Sequence, residues 1–570
     1  MSHGHQRASV RLLAKLSAVC MVLSGTAALP VLAPPATADV GPGWRDYERP
    51  ATYEPIETSI MVPVRDGTSI GCELYRPGRN GAVAPGRFPA VVWDFTPYTA
   101  THLPAVPGLD TATAGSSALA PLVGYAESGG KAAEYFAARG YAVARCHVRG
   151  TGNSGGDFPS WFQPIEAQDN YDLIEWLAAQ PWSTGRVGQG GASYGSLTSQ
   201  RVAALNPPHL EAIVPEVAPG SIYEWIYPGG IPSTSGATWA TLAAAMSYGR
   251  VDPTRISQSF AAHPLYDDFW RQIDITDNLK DIHVPTLLFG GWQDLFTNGT
   301  VQDFQGRSSN AWLVMGAGQH GFAQDDPHSP VPLGAVLGWW DHWLMQLPSA
   351  PLPSSRVTTF ELPTAGGGGW KELSAWPPSD VHSERMYLGA DRSLSERPGP
   401  EGTTSYQVNP IDGPARSWLG NYIAYPESPA ADQSSADRQR LTFTTGPLTD
   451  DAVVAGTARV HLRAALSAPN GYFVVKVEDV APDGKVVGTT DGYLEASHRD
   501  GDDHEVTIAP GEFNDYTVAI SPTHWRFAKG HQIRIAVTSG DLPVVPPDAP
   551  AGTATIANGP EGSWVDLPLR

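Results

Sequence analysis

From residue 61 to residue 350, short apolar runs alternate with stretches of helical periodicity. Residues 61–77 (MVPVRDGTSIGCELYRP) carry strand-forming residues on both sides of Asp66-Gly67, which predicts a β-hairpin. Residues 88–94 (FPAVVWD) are almost wholly apolar, as a strand covered on both faces must be. A loop at 95–98 follows, then an Ala-, Gly- and Pro-rich stretch to about Gly130. Residues 131–139 predict a helix and 141–146 the next strand. Residues 167–180 place Tyr171, Ile174 and Leu177 at helical spacing. A strand at 186–189, a helix at 198–204 and a strand at 210–215 continue the series. Strands at 284–289 and 311–315 resume it, and a Trp-rich helix at 336–345 closes it. Repeated β-α units imply a mainly parallel sheet with helices on both faces. Residues 218–281 break the rhythm. They are rich in Trp, Tyr, Pro and Ala, with helical pieces at 239–248 and 263–272. We expect a helical cap there.

The pattern changes again after a Pro/Ser linker at 347–355. Alternating runs at 356–362, 458–465, 472–479, 516–520 and 532–538 are spaced by Gly, Pro and Asp turns. These predict an all-β sandwich of jelly-roll type. The expected organisation is an α/β domain over 39–350 and a β domain over 351–570. Residues 1–38 are read as a secretory signal peptide. Arg7, Arg11 and Lys15 precede an apolar stretch at 16–32, and Ala36-Thr37-Ala38 fits a small-x-small cleavage site. Gly25 and Pro30 interrupt the apolar stretch, so no stable membrane span is expected. The reading is a secreted protein.

Composition narrows the partners. The chain has 570 residues, 41% of them hydrophobic, with 18 Trp, enough for two large cores. A formal net charge of −21 argues against nucleic acid and against anionic membrane surfaces, both of which select basic patches. Of the 3 Cys, Cys20 lies in the leader, which leaves Cys72 and Cys146. No Cys/His cluster has metal-ligand spacing, so no metal site is expected.

Candidate chemistry gathers at three strand ends. Gly191-Ala192-Ser193-Tyr194-Gly195 is G-x-S-x-G, the pattern of a nucleophile elbow on a strand-to-helix turn. Acyl transfer by Ser also needs a base, an acid to orient it and donors for the oxyanion. Asp294 follows the strand at 284–289 and His320 the strand at 311–315, in the order Ser, acid, His. Such chemistry needs no metal or organic cofactor. Gly150-Thr151-Gly152-Asn153-Ser154-Gly155 matches a dinucleotide fingerprint. However, Pro159 and Pro164 precede any helix, so no helix N-terminus waits for a pyrophosphate, and nucleotide binding is set aside.

The chain resembles the family that unites cocaine esterase, X-prolyl dipeptidyl aminopeptidases, glutaryl acylases and α-amino-acid ester hydrolases. The matching residues include Val64-Arg65-Asp66-Gly67, Leu74-Tyr75-Arg76-Pro77, Thr96-Pro97-Tyr98 and Val148-Arg149-Gly150 with Gly152, Ser154 and Gly155. Gln180-Pro181-Trp182-Ser183, His263-Pro264, Phe269-Trp270, Gly291-Trp292 with Asp294, and His320-Gly321 continue the match. Trp376-Pro377-Pro378 and Lys529-Gly530-His531 with Ile533-Arg534 extend it into the β part. The resemblance implies an α/β-hydrolase whose Ser193, Asp294 and His320 form the triad. It implies an oxyanion hole from the Tyr194 N–H and the Tyr98 hydroxyl, and an acyl-pocket aromatic at Phe296. Trp225 and Trp239 are expected to wall the pocket from the cap. The strand order of such a fold puts Cys72 beside Cys146, where a disulfide or two free thiols fit. The substrate is expected to be a small molecule or short peptide carrying an ester or amide bond. X-Pro dipeptide release and acyl-ester cleavage lead, with β-lactam/glutaryl acylase or α-amino-acid ester hydrolase chemistry as the alternative. A free substrate amine would need a carboxylate, for which Glu216, Glu224, Asp267 and Asp268 are the candidates. A reading from another class is a non-catalytic carbohydrate-binding protein, suggested by the β domain.

Overall fold

The structure is a computed structural model. It describes residues 43–98, 120–234, 252–307, 310–318, 320, 332–363, 368–413, 432–542 and 544–570, with side chains from residue 129 in the helix that starts at 120. The expected signal peptide, the expected helix at 239–248 and Trp239 lie outside these residues.

The hairpin forms from β1 (Glu54–Pro63) and β2 (Ser69–Arg79), with β3 (Ala82–Val83) folded back on β2. The sheet continues through β4 (Phe88–Thr96), β5 (Ala142–His147), β6 (Ser183–Ala192) and β7 (Leu210–Glu216). It is completed by β8 (Thr286–Gly291), β9 (Ala311–Gly316), β10 (Val357–Glu361) and β11 (Gly369–Leu373). Its order is β1-β2-β5-β4-β6-β7-β8-β9-β10-β11. The contacts from β5 across to β10 are parallel. This is the strand order of an α/β-hydrolase. The direction of sheet building reverses between β4 and β6, and ligands collect at such switch points, beyond the carboxyl ends of the strands.

All nine residues of β4 are buried, which explains its apolar run. Val92 and Phe95 face α2 (Pro164–Ala178) and α3 (Tyr194–Ala204) through Ile174, Leu177 and Leu197. Val91 and Trp93 face α1 (Ala120–Ala137) and α8 (Leu333–Trp343) through Phe136, Trp339 and Trp340. Each of these fully buried side chains contributes about 1.5–3 kcal/mol. Cys72 on β2 stands opposite Cys146 on β5, and the two are joined as a disulfide.

Two details go beyond the expectations. The run at 356–362, the first after the linker, forms β10, which pairs parallel with β9 and continues the first sheet. All five residues of β10 are buried, as in an interior strand rather than a one-faced one. The alternating pattern predicted a strand but carried no sign of which sheet it joins. The helix expected at 263–272 forms only from 268, as α6 (Asp268–Ile273), after a break that follows α5 (Pro253–Ala261). Pro264 falls in the break, and Asp267 caps α6 by accepting the Phe269 N–H at 2.9 Å. With α4 (Ile222–Ile226), these are short helices between β7 and β8. Helix α7 (Thr297–Gln305) follows β8.

The C-terminal part is β-rich. It comprises β12 (His382–Leu388), β13 (Leu394–Ser395), β14 (Gly402–Gln407), β15 (Leu441–Thr444), β16 (Ala452–Gly456), β17 (Arg459–Leu466) and β18 (Tyr472–Val480). β19 (Val486–Glu495), β20 (Phe513–Ala519), β21 (Thr523–Phe527), β22 (Gln532–Thr538), β23 (Thr553–Asn558) and β24 (Trp564–Leu569) complete it. One sheet has nine strands, and the other runs β15-β22-β18-β19. No helix among the described residues is long and apolar enough to cross a membrane.

Candidate active site

Strand β6 ends at Ala192, and α3 begins at Tyr194. Ser193 makes the turn between them with φ 56° and ψ −111°, a backbone that side chains rarely adopt. Its N–H donates to the Glu216 carbonyl at 2.9 Å, which ties the turn to the end of β7. A Cβ at Gly191 would lie 2.6 Å from Asp94 Oδ1, and one at Gly195 2.9 Å from the same atom. Both glycines are therefore required by the approach of β4 to the elbow. The first N–H groups of α3 have no acceptor within the helix and sit at its positive end, suited to a developing oxyanion.

Asp294 stands past the end of β8, and its Oδ2 lies 2.8 Å from His320 Nδ1. Its Oδ1 accepts the Phe296 N–H at 2.5 Å, which fixes the carboxylate plane. Asp294 is 2% exposed and His320 3%, so the pair is held out of bulk water. A neutral ring that donates Nδ1–H to Asp294 keeps its lone pair on Nε2. Tyr98, just past β4, is hydrogen-bonded through its hydroxyl to the Ser193 side chain. Burial raises its phenol well above the ordinary value, so it stays protonated and remains a donor. Ser193, Tyr98, Tyr194 and His320 line one tight pocket, closed by Phe296 and Trp225. The Phe296 ring meets His320 edge-on at 5.2 Å and Trp225 at 5.4 Å. Trp225 stacks on Trp161 at 5.8 Å.

Other aromatic side chains nearby lie outside this pocket. Tyr223 and Trp270 pack against each other between β7 and β8, and Trp292 packs on Trp376 at 4.9 Å. A second, larger cavity of about 880 Å³ runs between α7 and the β domain. It shares Pro219, Trp225, Leu295 and Phe296 with the Ser193 pocket but does not reach Ser193. Ser193, Tyr98 and His320 therefore belong to the smaller pocket alone. Of the four carboxylates considered for an amine, only Glu224 lines the larger cavity. It accepts from Asn298 Nδ2 and from Gln302 Nε2. Glu216 is buried behind the elbow, where burial and the Asp94 charge push its carboxyl well above the usual range. Asp267 caps α6, and Asp268 is exposed against Arg271. The Gly150–Gly155 segment closes on itself, with Gly150 N–H on the Gly155 carbonyl at 2.7 Å, and Gly155 N–H on Ser69.

Sequence reasoning missed Glu166. It lies at the third position of α2, is 2% exposed, and accepts the Tyr194 O–H at 2.7 Å. The Gln163–Glu166 spacing before an apolar run was a visible capping signal, but its partner on another helix was not. Burial pushes this carboxyl up to about 7, against the Tyr194 hydroxyl and the Arg201 charge, while Asp169 adds to the rise. An unfolded Glu titrates at about 4.3. Between these values the folded chain holds a proton that the unfolded chain has released. Wild-type stability should therefore be intact below about 4.3 and fall as pH rises through 7, by on the order of 3 kcal/mol from this group. Glu166→Gln lacks that slope. Urea unfolding of both proteins from pH 4 to 8 checks it, and parallel pH profiles would refute the burial argument.

Residues 66–322 match the X-Pro dipeptidyl-peptidase (S15) family, and residues 353–561 match the X-Pro dipeptidyl-peptidase C-terminal non-catalytic domain. The chain is 25% identical over 556 residues to cocaine esterase of Rhodococcus sp., covering 86% of this chain and 91% of that one. It is 23% identical over 445 residues to a putative Xaa-Pro dipeptidyl-peptidase of Bacillus anthracis, covering 72% of this chain and 71% of the other. In fold it is similar to a CocE/NonD family hydrolase from Staphylococcus aureus, with TM-score 0.72, 20% identity and coverage of 96% and 99%. An α-amino acid ester hydrolase gives TM-score 0.69 at 20% identity, with coverage of 95% and 100%. The chain thus belongs to the serine-hydrolase family that takes in the X-Pro dipeptidyl-peptidases and cocaine esterase.

Proposed function

We propose that this chain is a secreted serine hydrolase that cleaves an ester or amide bond through an acyl-enzyme on Ser193. The observation that carries this is one pocket in which Ser193, on its strained elbow, meets the Tyr98 hydroxyl and the His320–Asp294 pair. Ser193 Oγ attacks the substrate carbonyl carbon, and its proton passes to His320 Nε2. The oxyanion accepts from the Tyr194 N–H and the Tyr98 O–H. As the tetrahedral adduct collapses, His320 returns that proton to the leaving alcohol or amine. Water, deprotonated by His320, then releases the acid and frees Ser193. Asp294 stays ionised, holding the imidazole tautomer and offsetting its transient charge. Secretion is supported by the leader pattern at 1–38 and by the Cys72–Cys146 bond, which needs an oxidising compartment.

The leading substrates are acyl esters and X-Pro peptides. The pocket beside Ser193 is small and walled by Phe296 and Trp225, which suits a compact apolar acyl group. The X-Pro reading gains from Glu224, a carboxylate in the adjoining cavity that can hold a free amine. A fluorophosphonate probe should label Ser193, and kcat/KM should be compared on aryl-ester, Xaa-anilide and Xaa-Pro-anilide substrates. If Glu224 holds the amine, Glu224→Gln lowers kcat/KM about tenfold or more on Xaa-Pro-anilide and leaves the aryl ester unchanged. Equal effects on both substrates would remove the X-Pro reading. Failure of the probe to label Ser193 would overturn the hydrolase reading and revive a binding role for the β domain.

A further inference from the structure

The capping box at the start of α2 needs only one oxygen of Glu166. Oε1 accepts the Gln163 N–H at 2.8 Å, which satisfies one orphan donor of the helix. Oε2 leaves the helix altogether and accepts the Tyr194 O–H at 2.7 Å. The Tyr194 oxygen in turn accepts the Phe162 N–H at 3.1 Å. With Glu166 ionised, as it is above about pH 7, the directions are fixed: its oxygens only accept, so Tyr194 sends its proton to Oε2 while its own oxygen accepts the Phe162 N–H. One carboxylate thus connects the start of α2, the residue after Ser193 and the segment Trp161-Phe162.

That segment is part of the pocket. Trp161 and Phe162 line it beside Ser193, whereas Glu166 does not touch it. Phe162 holds φ 55°, a conformation that a residue with a side chain adopts only when its surroundings enforce it. Its N–H goes to Tyr194, its carbonyl takes the Arg201 guanidinium, and its ring stacks on Tyr194 at 4.1 Å. Trp161 stacks on Trp225, which also lines the pocket. Taking Ser193 as the nucleophile, we propose that Glu166 is a positioning residue. Through the Tyr194 hydroxyl it sets the Trp161-Phe162 wall of the acyl pocket and holds the residue whose N–H receives the oxyanion. When ionised, both of its oxygens accept. A Gln offers one acceptor oxygen and one donor NH2, so one of the two links is lost or reversed.

The test uses the full chain with Glu166→Gln, Tyr194→Phe and the double variant. kcat and KM are measured separately on p-nitrophenyl acetate and p-nitrophenyl benzoate, with a thermal melt of each protein. Glu166→Gln should lower kcat/KM on the benzoate by about tenfold or more, and on the acetate by clearly less, because the wall contacts the larger acyl group. Tyr194→Phe should reproduce that pattern, and the double variant should match either single one, since all three break one chain of bonds. A general loss of packing lowers the melt and acts on both esters alike. Equal losses on the two esters, or losses that multiply in the double variant, overturn the proposal. If Glu166→Gln does not fold, Tyr194→Phe decides alone, and wild-type kinetics on both esters would overturn it. These outcomes differ from failure of the nucleophile reading, in which the wild type itself is not labelled at Ser193.

Discussion

Ser193→Ala should fold as the wild type does and hydrolyse esters at least about 10⁴-fold more slowly. The substitution removes one oxygen and keeps the Cβ, so the elbow at φ 56° carries no new steric load. Its backbone tie, Ser193 N–H to the Glu216 carbonyl, is untouched. The lost side-chain contact is the hydrogen bond with Tyr98, a change of about 1 kcal/mol in stability. Turnover is different in kind. Without Oγ no acyl-enzyme forms, and what remains is the pull of the oxyanion donors on water attack. His320→Ala should cost a comparable factor, and the double variant little more, because nucleophile and base act as one unit. Initial rates on p-nitrophenyl acetate, beside a thermal melt of each protein, check both statements. A Ser193→Ala protein with wild-type rates would end the mechanism.

The parts of this site that were legible in the sequence share a property. Asp294 and His320 each follow a short apolar run and Ser193 a Gly-rich one, and the ends of parallel strands converge at one edge of the sheet. Order along the chain therefore stood in for position in space. Tyr98 was reachable in the same way, because it follows β4, the neighbour of β6. Glu166 was not. Its partner Tyr194 is 28 residues away on another helix, and only packing of α2 against α3 brings them together. The destination of β10 was hidden for a similar reason. Alternation in five residues sets a strand and its faces, while the choice of neighbour depends on which sheet edge lies open when the chain arrives. The split at Pro264 was legible in principle, since a Pro inside a helical pattern marks its boundary. The helical piece expected at 263–272 ignored it, whereas the Asp267 cap starts the helix only at 268.

Replacing Cys72 and Cys146 together by Ala should lower the stability of the catalytic sheet by about 4 kcal/mol and leave kcat close to wild type. The bond closes a loop with a sequence separation of 74, and the loop-closure term for such a span is of that size. The positions suit it. Cys72 and Cys146 face each other on antiparallel β2 and β5 with Cα atoms 4.1 Å apart, a close pair in which side chains meet across the strands. Both residues are buried, so Ala is the better substitution; Ser would add two buried hydroxyls and confuse the reading. The effect on chemistry should be small for a reason of topology. The bond ties the β1–β2 hairpin to the parallel sheet, while Ser193, Asp294 and His320 hang from β6, β8 and β9 on the other side of β4. Only Tyr98 has a link to it, through β4, whose Phe95 lies in register with Cys146. A selective loss of oxyanion stabilisation would therefore appear as a fall in kcat with KM unchanged, and it should stay within about threefold. Urea unfolding of the wild type and the Ala pair, with and without reductant, measures the bond directly. Reductant should bring the wild type to the stability of the variant. Equal unfolding midpoints without reductant, or free thiols at both positions in non-reducing peptide maps, would show that the cross-link contributes nothing.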